Sequence, residues 1–270
     1  MSQNVLVVHG GGPTAVINAS LYGVIEEAKR NPEVGKVYGA IGGTGAIFSE
    51  TFIDLTSFDD EKLKLLLHTP ASAIGSSRYP LYEKMVDIFK KHDIKYVLLN
   101  GGNGTMDACG HIYEVCKDQD IKVVGIPKTI DNDIAMTDHS PGYGSAARFI
   151  AASTQEVGED VKSLPIHVCI MEAMGRNAGW ITAASALARR KQGDAPHLIY
   201  LPERNFNEDE FLEDVSRLQK KQGGVVVLVS EGLHDANGES IVPPIFKSER
   251  AVYYGDVSSH LANLVVKKLG

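Results

Sequence analysis

Two carboxylates, Asp131 and Asp133, stand two residues apart in Pro127-Lys128-Thr129-Ile130-Asp131-Asn132-Asp133, directly after the apolar run 121–126 (IKVVGI). In an irregular loop, carboxylates at i and i+2 leave the backbone in different directions. One can then act as base toward a hydroxyl while the other reaches a Mg²⁺ ion, which takes oxygen ligands. Lys128 beside them supplies positive charge for phosphate oxygens. The plainer reading of the same stretch is an Asx-rich turn that satisfies its own backbone. Two glycine clusters offer matching anion chemistry. Gly10-Gly11-Gly12 follows the apolar run 4–8, and Gly101-Gly102-Asn103-Gly104-Thr105 follows the run 96–99. In both, a strand feeds a glycine turn and then a helix, which points backbone N–H groups at an anion. Neither has the spacing of a dinucleotide fingerprint or a Walker A loop. Two such loops on one sheet edge suit a polyphosphate better than a single phosphate. Arg78, in Gly75-Ser76-Ser77-Arg78-Tyr79-Pro80, could aim a guanidinium at a transferring phosphoryl group. Met174-Gly175-Arg176 and Glu231 lie just past two further apolar runs, 168–171 and 224–229.

The elements that must hold these residues follow one grammar. Short, β-branched apolar runs (4–8, 96–99, 121–126, 168–171, 224–229) alternate with stretches whose apolar positions recur every three or four residues. The first of these, from Thr14, carries Val16, Ile17, Leu21, Val24, Ile25 and Ala28 on one face. Such alternation predicts βαβ units and an α/β fold with doubly wound, mostly parallel sheets. Ligands in these sheets sit at the carboxyl ends of strands, where every motif above falls. A helix is expected over 256–269, because Val257, Leu261, Leu264, Val265 and Leu269 share a face. We expect one domain over 1–142, with 255–270 packing back on it, and a second over 143–254.

Composition narrows the function classes. A chain of 270 residues with 43% hydrophobic and 23% charged residues is globular rather than disordered. The net charge of −7 argues against a nucleic-acid backbone as partner, since that needs clustered Lys and Arg. Three cysteines without a CxxC pair give neither a zinc site nor a disulfide framework. No HExxH is present, and Ser76, Ser77 and Ser230 lack a GxSxG context, so zinc peptidase and serine hydrolase chemistry are not expected. No apolar run has the length of a membrane span, and the first residues lack the regions of a signal peptide; a cytoplasmic protein with no membrane partner is expected.

Taken in order, GGPTAVINAS, GSSRYP, GGNGTMDA, PKTIDNDI, MEAMGRNAGW and SEG resemble the phosphofructokinase family in content, order and approximate spacing, over residues 5–233. That resemblance implies a two-domain, Rossmann-like fold forming homodimers or homotetramers. It implies Mg²⁺-dependent transfer of a phosphoryl group from ATP or pyrophosphate to the 1-hydroxyl of fructose 6-phosphate, giving fructose 1,6-bisphosphate in glycolysis. The first domain would bind the donor phosphates and the second the sugar phosphate. Residue by residue, Asp131 matches the general base, Thr129 helps position the reacting groups, and Arg78 acts on the transferring group. Gly12, Arg78, Gly102, Asn103, Gly104, Thr105 and Lys128 fall to the donor; Thr129, Asp131, Met174, Gly175, Arg176 and Glu231 to the sugar phosphate; Asn103 and Asp133 to the metal.

The departures set further expectations. Asn103 stands where the family often has Asp, and His167 where an Arg commonly reaches across a subunit interface. The chain stops before a later motif, often a Gln-Arg pair, so an incomplete catalytic unit is expected. Pyrophosphate-using members usually pair an Asp at the position of Gly104 with a Lys at that of Lys128. Gly104 leaves room for a nucleotide's α-phosphate, whereas Lys128 favours compact pyrophosphate. Sterics at a close backbone approach decide, making ATP the expected donor. Pyrophosphate is the alternative, as is a member that binds phosphates without turnover.

Overall fold

Strand β1 (Gln3–Gly10) is apolar from Val5 to Val8, with no polar face, as a strand covered on both sides must be. It leads through the first glycine turn into α1 (Ala15–Arg30), whose buried side includes Ile17, Leu21 and Ile25. β2 (Val34–Ala40), the single-turn α2 (Gly45–Phe48), β3 (Phe52–Asp54) and α3 (Asp60–Lys64) follow. After a long connection come α4 (Met85–Lys91), β4 (Ile94–Gly101), α5 (Asn103–Cys116) and β5 (Lys122–Pro127). The five strands lie in the order β3-β2-β1-β4-β5, parallel except for the β2–β3 pair. One face buries Leu6, Val8, Phe89, Leu99 and Ile112, the other Val5, Val7, Leu21, Ile25 and Val37. The chain leaves β1 for β2 on one side and later returns as β4 on the other. That reversal is a topological switch point, and it opens a crevice beyond Gly10 and Gly101, which are register partners.

The computed structural model describes residues 3–77, 79–164, 167–247 and 252–270, and the chain divides into two units, 1–129 and 130–270. The second begins with the loop ahead of α6 (Tyr143–Ser163), then β6 (Val168–Ala173), α7 (Trp180–Ala184), β7 (Leu198–Tyr200), α8 (Glu208–Gln222) and β8 (Val225–Ser230). Strands β6, β8 and β7 form a parallel sheet with β8 in the middle and buried along its whole length. The hairpin β9 (Pro244–Lys247) and β10 (Val252–Tyr254) and the helix α9 (Val257–Leu269) complete the unit. Asn207 caps α8 by accepting from the N–H groups of Asp209 and Glu210, and Gly223, at φ +85°, ends it.

The α/β, mostly parallel architecture is as expected, and the domain borders differ. The boundary falls at 129/130 instead of 142/143, because Ile130 shares a cluster with Tyr143, Ala146, Ala147 and Ile150. Helix α9, expected to pack on the first domain, is part of the second unit. Its stripe Val257, Leu261 and Val265 packs in the second unit's core with Phe211, Val215 and the β8 side chains Val225, Val227 and Val229. Glu172 on β6 fixes its start, accepting from the N–H of Ser258 at 2.8 Å. Among the described residues no helix is long and apolar enough to cross a membrane.

Candidate active site

In the first unit three strand ends meet. Gly10 and Gly101 approach so closely that a Cβ on Gly101 would collide with the Gly10 carbonyl oxygen and with Thr105. The Lys128 N–H donates to the Gly101 carbonyl at 3.0 Å, which ties the end of β5 to the second glycine loop. Gly102 is the N-cap of α5, and its carbonyl accepts from the N–H groups of Thr105 and Met106. The positive end of a 14-residue helix thus opens at the switch point, where an anion is favoured. Gly11 takes φ +77°, the left-handed turn that lets the chain leave β1 and enter α1. Gly12 has open space around it, as a residue facing a ligand would.

The predicted donor residues are sorted by this geometry. Gly12, Gly102, Asn103 and Gly104 lie at the rim of the crevice, and Lys128 is buried at its β5 side. Thr105 is 2% exposed, and its side chain wedges between Gly10 and Gly101. It acts as a spacer beneath the two loops. Arg78 lies outside the described residues. Its neighbour Ser76, which the spacing of motifs did not single out, donates from Oγ to the Gly11 carbonyl at 2.8 Å. That bond fastens Ser76 to the first glycine loop.

In the second unit the loop after β5 is organised by Asn132, buried and at φ +58°. Its Oδ1 accepts from the Ser140 N–H at 2.8 Å and its Nδ2 donates to the Asp138 carbonyl at 3.2 Å. These bonds reach 6 and 8 residues along the loop, so Asn132 pins the loop's backbone without forming a local Asx turn. Flanking it, Asp131 is half-buried and Asp133 exposed. The Met174-Gly175-Arg176 turn is built from three directions. Glu231 Oε1 accepts from the N–H groups of Gly175 and Arg176, both at 3.0 Å. Gly175 (φ +137°) and Arg176 (φ +47°) both sit at positive φ. Gly232 leaves room for the Arg176 carbonyl oxygen, into which a Cβ would run. Met174 and Arg176 remain exposed at the tip. Glu231, expected as a ligand contact, thus also holds the turn that presents the other three. His167 is exposed, its Nδ1 at 3.1 Å from the Leu164 carbonyl.

Asn103 and Asp133, expected at the metal, belong to different units, and both are exposed. No group of three or more His, Cys, Asp or Glu side chains gathers among the described residues. Exposed oxygen donors few in number fit Mg²⁺, which keeps several waters and takes substrate phosphates as ligands.

Two α/β units with glycine loops, a helix N-terminus and a carboxylate loop at their strand ends define a class of protein, one that handles phosphorylated ligands. The phosphofructokinase sequence pattern matches residues 4–269. The pyrophosphate–fructose 6-phosphate 1-phosphotransferase of Rhodospirillum rubrum is 42% identical over 97% of this chain and 67% of its own length. An ATP-dependent 6-phosphofructokinase of Amycolatopsis methanolica is 30% identical over 86% of this chain and 52% of its own. The crystal structure of a pyrophosphate-dependent phosphofructokinase from Marinobacter aquaeolei superposes with a TM-score of 0.86 at 38% identity, covering 99% of this chain and 66% of that one. The chain belongs to the phosphofructokinase family, a family of phosphotransferases. It spans about two thirds of the length of the pyrophosphate-dependent relatives it matches.

Proposed function

We propose that this chain carries the reaction centre of a pyrophosphate-dependent 6-phosphofructokinase, acting on fructose 6-phosphate with Mg²⁺. The observation that carries the donor assignment is the similarity itself. A relative named for pyrophosphate stands at 42% identity, and one named for ATP at 30%. The expectation of ATP, drawn from the small size of Gly104, gives way to the alternative. Lys128 supports the change: it is 7% exposed, and its backbone is bonded to Gly101 beside both glycine loops. A cation there suits a compact dianionic end group, with no nucleoside to be housed.

In this reading the first unit binds pyrophosphate along Gly12, Gly102, Asn103, Gly104 and Lys128, with Arg78 on the transferring group. The second unit holds the sugar phosphate at Met174, Gly175, Arg176 and Glu231. The sugar's 1-oxygen forms a bond to phosphorus as the bridging P–O bond of pyrophosphate breaks. Asp131 takes the hydroxyl proton, Thr129 aligns the reacting groups, and inorganic phosphate leaves. Little covalent help is needed, because positioning and charge neutralisation lower most of the barrier. Mg²⁺, held by Asn103, Asp133 and donor oxygens, would supply charge neutralisation. The reading implies a cytoplasmic homodimer or homotetramer. Paired calorimetric titrations with Mg-pyrophosphate and Mg-ATP test it. Tighter binding of pyrophosphate is expected; tighter binding of ATP overturns the donor assignment.

A further inference from the structure

His9 is fully buried one residue before the first glycine loop, and nothing in the reaction above uses it. Its Nδ1 lies 2.8 Å from Ser72 Oγ, and that hydroxyl donates to the Gly75 carbonyl at 2.9 Å. A serine hydroxyl has one proton. With it spent on Gly75, the Ser72 oxygen accepts from His9, so the proton of the neutral ring is on Nδ1. Nε2 is then a buried lone pair, and it has no partner among the described residues. Burial pushes the ring's pKa down to about 4, so it stays a neutral donor across the physiological range.

Among its described residues the segment that receives this bond has no strand or helix of its own from 68 to 81, and side chains from elsewhere hold it. Asn18 on α1 brackets its start, donating to the carbonyls of Thr69 and Ala71 and accepting from the Ala73 N–H. Thr44 holds its far end, accepting from the Tyr79 N–H at 2.6 Å. Between these, Ser76 meets the Gly11 carbonyl. An aromatic hydrocarbon would fill the His9 site without stranding a polar atom, which costs free energy when buried. Packing alone does not account for an imidazole there.

We propose that His9 is a positioning residue: through Ser72 and Gly75 it latches the 72–77 segment, so that Ser76 closes on the first glycine loop. The latch stands on this geometry alone; its consequence for pyrophosphate rests on the proposed function.

The test uses the full chain with three variants: His9→Phe, which keeps the ring and loses the donor; His9→Asn, whose amide N–H falls near the place of Nδ1; and Ser72→Ala. Amide hydrogen exchange at Gly75 and Tyr79 is read against Ala73, whose acceptor is Asn18, and against Leu6 and Val7 in β1. Mg-pyrophosphate and fructose 6-phosphate affinities are measured alongside by calorimetry. His9→Phe and Ser72→Ala are each expected to speed exchange at Gly75 and Tyr79 about tenfold, the size of one lost hydrogen bond. Ala73, Leu6 and Val7 should stay protected, and His9→Asn should restore most of the loss. Pyrophosphate affinity should fall by a similar factor with fructose 6-phosphate affinity unchanged. Unaltered exchange at Gly75 and Tyr79 overturns the latch, as does equal loosening of β1 or a His9→Asn variant no better than His9→Phe. Should His9→Phe not fold, Ser72→Ala carries the same comparison. A wild-type chain that binds no pyrophosphate counts against the proposed function, while the exchange pattern still decides the latch.

Discussion

At the scale of single residues, the most demanding position is one without a side chain. Gly232 directly follows Glu231, and the pair closes the Met174-Gly175-Arg176 turn from opposite sides: the carboxylate pulls on two N–H groups, while the glycine admits the Arg176 carbonyl. Ser230 adds a third tie, its Oγ within 3.5 Å of the same carbonyl oxygen. Gly232→Ala forces a Cβ into backbone rather than into a flexible side chain, so the turn itself has to move. We expect a stability loss of about 1–3 kcal/mol, the range for overpacking. We also expect a selective loss of sugar-phosphate affinity, with pyrophosphate binding in the other unit unchanged. Denaturant titration and paired ligand titrations check both; a variant with wild-type fructose 6-phosphate affinity removes this turn from the sugar site. The motif SEG shows its glycine in the sequence, yet the reason for it lies 56 residues away at Arg176, which spacing along the chain does not reveal. Ser76 and Asn132 escaped for the same reason, since their partners are a carbonyl across the fold and a loop's own backbone.

Among the elements, legibility follows burial. β1, β4 and β8 are covered on both faces and read as unbroken apolar runs; the run 4–8 proved to be the heart of a strand from Gln3 to Gly10. β2 (VGKVYGA) has a lysine and two glycines inside it, and β3 and β7 are three residues long, so none carries a period to read. The stripe of α9 was equally plain, and its destination was not, because periodicity gives a helix its apolar face without naming the surface that face meets. The structure supplies that surface: Leu261 is fully buried among α8 and β8 side chains. Leu261→Ala should therefore cost about 2–5 kcal/mol, as large-to-small changes in closed cores do. Its effect should appear as deprotection of β8 and α8 amides, with the first unit's β1 and β4 amides unmoved. Loss of protection in β1 instead would put α9 back on the first unit.

For the molecule as a whole, charge is the governing quantity. In the proposed function a chain of net charge −7 binds two ligands that are themselves polyanions. Repulsion from the distant surface is screened beyond about 8 Å at physiological ionic strength, so local groups decide the outcome. In the first unit those are backbone N–H groups at a helix N-terminus together with Lys128. Asn103, where the family often carries Asp, would offer the metal an oxygen ligand without a charge. In the proposed function such a site neutralises only part of a pyrophosphate, and the remainder would fall to Mg²⁺. Removal of Mg²⁺ with EDTA is expected to weaken pyrophosphate binding by at least about tenfold, since one unit charge at close range near a protein surface outweighs 1.4 kcal/mol. Asn103→Asp should tighten the Mg²⁺-dependent complex and weaken the metal-free one, because the added charge attracts the cation and repels the bare anion. Calorimetry in the two conditions reads the crossing directly. Equal affinity with and without metal would mean that glycine loops and Lys128 suffice, and would take Asn103 out of the metal's environment.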